Sequence, residues 1–272
     1  MLSRRQLLLL ASAAAVARCM PAGEERAAAD TEADDVSGES GEGEGWASGR
    51  IGARPASSSH ARAVRGEQPL GLGGRDGVLY VPDTYDPGRA APLLLVLHGA
   101  GGAGARAMRA MQPHADRHGI IVVAPDSARR TWDLIASEAV GPDAERIDAA
   151  LGMVFARYAI DADRLGVSGF SDGASYALTL GVANGDLFTH LIAFSPGFLR
   201  ATAQVGRPSV FISHGEADDV LPVRLCSRRI VPRLQRAGYA VQYHEFEGGH
   251  DVPPGIATEA VDWFVKGERE SA

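Results

Sequence analysis

Ser171 stands in the string Gly169-Phe170-Ser171-Asp172-Gly173, between an apolar run at 164–168 and an alanine-rich run at 174–183. The first run suits a buried strand and the second a helix. A serine between two glycines at such a strand-to-helix turn is held as an exposed nucleophile above the carboxyl end of a sheet. The glycines have a steric purpose, because a Cβ at either flank of so sharp a turn would clash. A serine hydroxyl attacks poorly until a base takes its proton, and that base needs a third group to orient it.

Three histidines downstream compete for the role of base. His250 follows Gly248-Gly249 after the last strand-like run, so a loop there can carry it over the sheet edge. His244 lies inside a strand pattern and reads as a packed or solvent-facing strand residue. His214 closes a strand and reads as structural. For the orienting acid, residues 213–222 offer Asp218 and Asp219, with Glu216 a distant third. Spacing alone leaves the two aspartates open.

The elements needed to bring these groups together are legible in the pattern. Strand-like runs fall at 77–82, 93–97, 120–124, 164–168, 190–194, 209–213 and 241–246. Helical spacing occupies 105–118, 142–158, 174–183, 223–237 and 256–265. The run at 93–97 is apolar at every position, as expected of a strand covered on both faces. Strands alternating with helices imply right-handed crossovers and a mostly parallel, doubly wound sheet with helices on both faces. Connections are short, and no insertion is large enough for a lid.

On these residues the chain resembles the α/β-hydrolase fold, and within it the phospholipase/carboxylesterase group that includes acyl-protein thioesterases. The likeness spans about 79–265. It is carried by a strand ending in His98-Gly99, the Gly-Phe-Ser-x-Gly elbow, His214-Gly215-x-x-Asp218-x-x-x-Pro222 and Gly249-His250. The resemblance implies the chain order nucleophile, acid, base, with Ser171 as nucleophile, the first aspartate (Asp218) as acid and His250 as base. It also implies an oxyanion hole made by two main-chain N–H groups, those of Asp172 and Ala100. One departure is Asp172 itself, where the thioesterases carry glutamine, which bears on thioesterase activity but not on the hydrolytic mechanism. Glycines 101, 102 and 104 suit a loop whose backbone approaches a substrate; the string lacks the lysine of a phosphate-binding loop. Trp132, Trp263 and Phe264 read first as packing residues. The position of Trp132 after the third strand also makes it the candidate substrate contact. Cys226 reads as a small buried hydrophobe. No spacing of cysteine and histidine suggests a metal, and no cofactor is required.

The rest of the chain bears on where such an enzyme works. Of 272 residues, the start is basic, with Arg4 and Arg5 ahead of an apolar run at 7–17. That run is too short to span a membrane and right for a signal peptide. Ser3-Arg4-Arg5-Gln6-Leu7-Leu8 resembles a twin-arginine export signal, and Ala15-Val16-Ala17 offers a cleavage site. Cys19 is a possible lipid attachment point, disfavoured by the bulky Arg18 before it. Residues 21–45 hold nine acidic side chains against one arginine, too little apolar surface to offset chain entropy. The expected division is an export signal at 1–19, a disordered acidic linker at 20–70 and the catalytic domain at 71–272. The latter carries 19 basic and 24 acidic residues, which leaves no footprint for nucleic acid.

The sequence therefore reads as an exported serine hydrolase, periplasmic or extracellular, acting on small-molecule carboxylic esters of small to medium acyl chain. Membrane attachment enters only through Cys19. Rival readings keep the three residues and change the substrate, to a peptide, a thioester, or a polyester or feruloyl-type ester. A rival of another class is a catalytically silent domain that binds without turning over.

Overall fold

A strand that is apolar at every position must be covered on both faces, and the residues of β3 (Ala91–Leu97) divide accordingly. Leu93, Leu95 and Leu97 point into one hydrophobic layer, Leu94 and Val96 into the other. In this computed structural model, which describes residues 49–55, 63–137, 140–201 and 203–266, β3 is a central strand of one eight-stranded sheet. The other strands are β1 (Gly66–Pro69), β2 (Gly77–Val81), β4 (Ile121–Pro125), β5 (Ile160–Phe170), β6 (His190–Phe194), β7 (Ser209–Gly215) and β8 (Val241–Phe246), in the spatial order β1-β2-β4-β3-β5-β6-β7-β8. From β4 to β8 every pairing is parallel; β1 and β2 add an antiparallel edge.

Helices cover both faces, as the alternating pattern requires. Gly104–His118 (α1) and Pro254–Lys266 (α6) lie on the side of Leu94 and Val96, where Met108, Met111 and Phe264 are buried. Pro142–Arg157 (α3), Asp172–Ala183 (α4) and Ser227–Arg236 (α5) cover the other side. The last of these begins four residues later than its apolar spacing suggests, because 223–226 form turns. A five-residue helix, Asp133–Ser137 (α2), was not anticipated. It starts where Asp133 accepts its neighbours' main-chain N–H groups.

The folded part begins upstream of the boundary expected at Gly71. β1 pairs with β2 over Gly66–Pro69. Earlier still, the Arg50 guanidinium grips both oxygens of Asp186 at 2.8 Å, and Ile51 is buried with its N–H donating to the Asn184 side chain. Gly52 and Ala53 donate to Asp148. This segment docks at the end of α4 remote from Ser171, and the Arg50 contact holds the Asp186 carboxyl down at about 2. The expected signal, Cys19 and most of the expected linker lie outside the described residues.

His190 supplies a test of the core's response to acid. Its ring is buried against the edges of Trp263 and Phe264, at centroid distances of 4.9 and 5.4 Å. Burial, and then Arg164, pull it down from 6.5 to about 4. The unfolded chain therefore takes up this proton first. Stability from the neutral ring is complete above about pH 6.5 and drains away as pH falls toward 4. Chemical unfolding at pH 7 and pH 4 should show wild type losing about 2 kcal/mol more than His190→Gln, after allowance for partial solvation.

Candidate active site

β5 ends at Phe170 and α4 begins at Asp172, so Ser171 alone makes the turn. It has φ 58° and ψ −119°, a left-handed conformation that an L residue adopts at a cost of about 1–3 kcal/mol. The surroundings hold it there. Its N–H donates to Phe194 O on β6, and its carbonyl accepts from Ala174 and Ser175 in the first turn of α4. The flanking glycines are required sterically. A Cβ on Gly169 would stand 2.2 Å from Gly173 O, and one on Gly173 would stand 2.2 Å from Leu97 O.

His250 follows β8 in the loop 247–251, and its imidazole reaches both partners. Nε2 lies 2.9 Å from Ser171 Oγ and Nδ1 lies 2.6 Å from Asp218 Oδ2. The close approach of this loop to the end of β7 again depends on a missing side chain, since a Cβ on Gly215 would be 2.2 Å from Gly249 O. The His250 ring rests against Phe170, with centroids 4.8 Å apart. With Asp218 bonded to Nδ1, the Nδ1–H tautomer leaves Nε2 free to accept the serine proton.

The structure places the two aspartates differently, and it is Asp218 that meets His250. Asp219 is exposed, whereas the Asp218 carboxylate is fully buried. Its Oδ1 accepts the N–H groups of Val220 and Leu221 at 2.9 and 2.7 Å. Burial alone would raise its pKa. The opposing hydrogen bonds from His214, His250 and Leu221 N–H prevail and hold it well below the usual carboxylate range. His214, which the sequence marked only as structural, is thus a direct neighbour of this carboxylate. Its Nε2 is 2.7 Å from Leu221 O and 3.2 Å from Asp218 Oδ2, and its Nδ1 is 2.7 Å from Ser227 Oγ. The His-Gly-x-x-Asp spacing was the signal available for it. His244 stacks on Phe211 and takes no part.

The loop after β3 presents amides in order. Gly101 N–H donates to Arg130 O and Gly102 N–H to Gly99 O, while among the described residues the Ala100 N–H meets no acceptor. His98 fixes this turn from beneath. Its Nε2 accepts from Ser127 N–H, which puts the proton on Nδ1, facing Gly99 O at 2.8 Å. Burial lowers its pKa, so the ring stays neutral. The Asp172 carboxylate is turned to the Thr131 hydroxyl at 2.5 Å, and its main-chain N–H heads α4, where first-turn N–H groups have no partner within the helix. Burial raises the pKa of that carboxyl.

Trp132 is a packing residue, away from solvent. It is fully buried, stacked on Tyr176 at 5.1 Å, with its indole N–H donating to His98 O. This is the packing role of its first reading, with partners from β3 and α4. It buttresses the turn that carries Ala100. Among the described residues no three His, Cys, Asp or Glu side chains are grouped so as to hold a metal ion.

Residues 73–254 match the Esterase family model, described as "Putative esterase". The chain is similar to a protein named feruloyl esterase C from Emericella nidulans, 29% identical over 160 residues. That match covers 56% of this chain and 58% of the relative, so the chain spans less than two thirds of the relative's length. Among solved structures, it is similar to esterase PE8, with 25% identity, TM-score 0.58, and 70% and 97% of the two chains covered. It is also similar to the Bacillus cereus carboxylesterase, with 20% identity, TM-score 0.54, and 69% and 93% covered; that likeness is one of fold. These findings agree with the resemblance to the carboxylesterase group of α/β-hydrolases.

The buried contacts of His214 make a prediction that separates it from the exposed aspartate. His214→Ala leaves the Asp218 carboxylate and Leu221 carbonyl short of a donor, so stability should fall by about 1–3 kcal/mol. Asp219→Ala should leave stability unchanged. Urea unfolding of the two variants beside wild type checks both.

Proposed function

The chain belongs to the esterase family that matches it over residues 73–254, and from that premise we propose that it is a serine hydrolase of carboxylic esters. The observation that carries the proposal is the hydrogen-bonded line Ser171–His250–Asp218, built on a left-handed serine at the head of a helix. Ser171 Oγ attacks the ester carbonyl as His250 Nε2 takes its proton. Asp218 keeps the imidazole in the right tautomer and stabilises the imidazolium that forms. The carbonyl oxygen becomes an oxyanion held by the N–H groups of Ala100 and Asp172, with the positive end of α4 beneath it. His250 then passes its proton to the leaving alcohol. Water, activated by the same imidazole, releases the acid from the acyl-enzyme. The reading uses no metal or cofactor.

Aromatic esters form a second reading, supported by the likeness to a protein named feruloyl esterase. Peptide and thioester substrates have no comparable support. A silent binding domain is disfavoured, because nothing in binding alone calls for a strained serine, a base and a buried acid in line. We place the enzyme outside the cytoplasm on the strength of the twin arginines and apolar run at the start of the sequence, with membrane attachment only if Cys19 is lipidated.

Hydrolysis of p-nitrophenyl acetate and butyrate tests the assignment. Ser171→Ala should abolish turnover. Asp218→Asn should lower kcat by about 10⁴ while the protein stays folded. Asp219→Asn should match wild type, and equal losses for the two aspartates would refute the choice of acid.

A further inference from the structure

A cavity of about 710 Å³ lies between the sheet and the helix pair α1 and α6. Its floor is formed by Val96, Ser168 and Phe194 of β3, β5 and β6. Val96 and Ser168 are register partners, so their side chains leave the sheet on the same face. The facing helices line it with small residues, Ala107 on α1 and Ala257 on α6, and that smallness leaves the space open. Most of the lining is apolar; His98, Arg106, His114 and Asp251 add polar atoms. The volume is that of a site for a drug-sized ligand rather than a packing defect.

Two observations connect this space with a ligand. The first is position. Gly99, Ala100 and Phe170 line the cavity, and a Cβ on Gly99 would stand only 3.4 Å from Ser171 Cβ, so the cavity begins beside the nucleophile. The second is Ser168. It lines the cavity, and of the three floor residues it alone carries a polar side chain. A hydroxyl there can meet a polar atom of whatever fills the cavity.

We propose that this cavity receives the acyl group of the ester, and that the preferred acyl group is bulky, an aromatic ring or a chain of medium length. Neither Ser171 nor His250 lines it. A group that fills it enters past Gly99 and Ala100, on the side that holds the carbonyl oxygen, while the leaving oxygen stays with His250. The cavity therefore suits the acyl side of the scissile bond. This inference rests on the esterase reading above.

Filling the cavity tests it. Ala107→Phe places a ring where the acyl group would lie and touches none of Ser171, His250 and Asp218. The probes are p-nitrophenyl acetate and p-nitrophenyl 3-phenylpropanoate. Wild type should prefer the phenylpropanoate in kcat/KM. The variant should keep kcat/KM for acetate within about twofold and lose at least about tenfold for phenylpropanoate, mainly through KM. Equal losses on both esters by a variant that melts like wild type would overturn the pocket, as would no loss on either. If Ala107→Phe does not fold, Ala107→Leu is read in the same way. Acetate turnover that vanishes in Ser171→Ala keeps the esterase reading whatever the pocket variants do. Absence of any turnover by folded wild type overturns both.

Discussion

Backbone packed against backbone, with no side chain between, is the constraint on which the site depends. At Gly169 and Gly173 a single methyl group would collide with a carbonyl oxygen 2.2 Å away. Because those methyls are absent, β5 can turn into α4 within one residue, and the serine at the turn is forced to positive φ with its hydroxyl outward. The same close approach brings the Asp172 amide and the helix terminus beside the serine hydroxyl, on the side proposed for the oxyanion. The histidine loop uses the device again, where Gly215 lets Gly248 and Gly249 lie against the end of β7. The geometry of the site is thus set by main-chain contacts, which move little, rather than by long side chains, which would have to be ordered each time.

Electrostatics completes what sterics begins. Asp218 is a carboxylate without solvent, and burial by itself would favour its protonated form. Main-chain donors from Val220 and Leu221 and ring nitrogens from His214 and His250 surround it, so it stays ionised and can orient an imidazole. His98 is the opposite case, a buried imidazole held neutral between Ser127 and Gly99. It serves as a fixed strut under the turn that carries Ala100, with Trp132 bonded to its carbonyl.

What the sequence revealed was whatever is local. The elbow is five consecutive residues, His250 follows its own glycines, and β3, β4, β6 and β7 are short apolar runs, so all were legible from neighbours in the chain. Spacing leaves Asp218 and Asp219 open, because both share one turn and differ in burial; the family resemblance favours the first. Trp132 reads first as a packing residue and is one, but its partners, Tyr176 and His98, come from distant parts of the chain and have no local signal. β1 carries a glycine and a proline in four half-exposed residues and gives no apolar signal. The docking of Arg50 on Asp186 spans 136 positions, and no pattern in either stretch announces it. The cavity was hidden differently, since it is made by the smallness of residues on two helices whose spacing looked like ordinary packing.

The measurement that tests the central claim most directly is the mass of the protein after reaction with an alkyl fluorophosphonate. The reagent phosphonylates a serine only when a neighbouring base activates it and an oxyanion site receives the developing charge. The structure predicts one adduct per chain, on the peptide containing Ser171, with labelling lost in Ser171→Ala and greatly slowed in His250→Ala. Labelling of another residue, or none at all in folded protein, would contradict the assignment of Ser171, His250 and Asp218 as a working hydrolytic set.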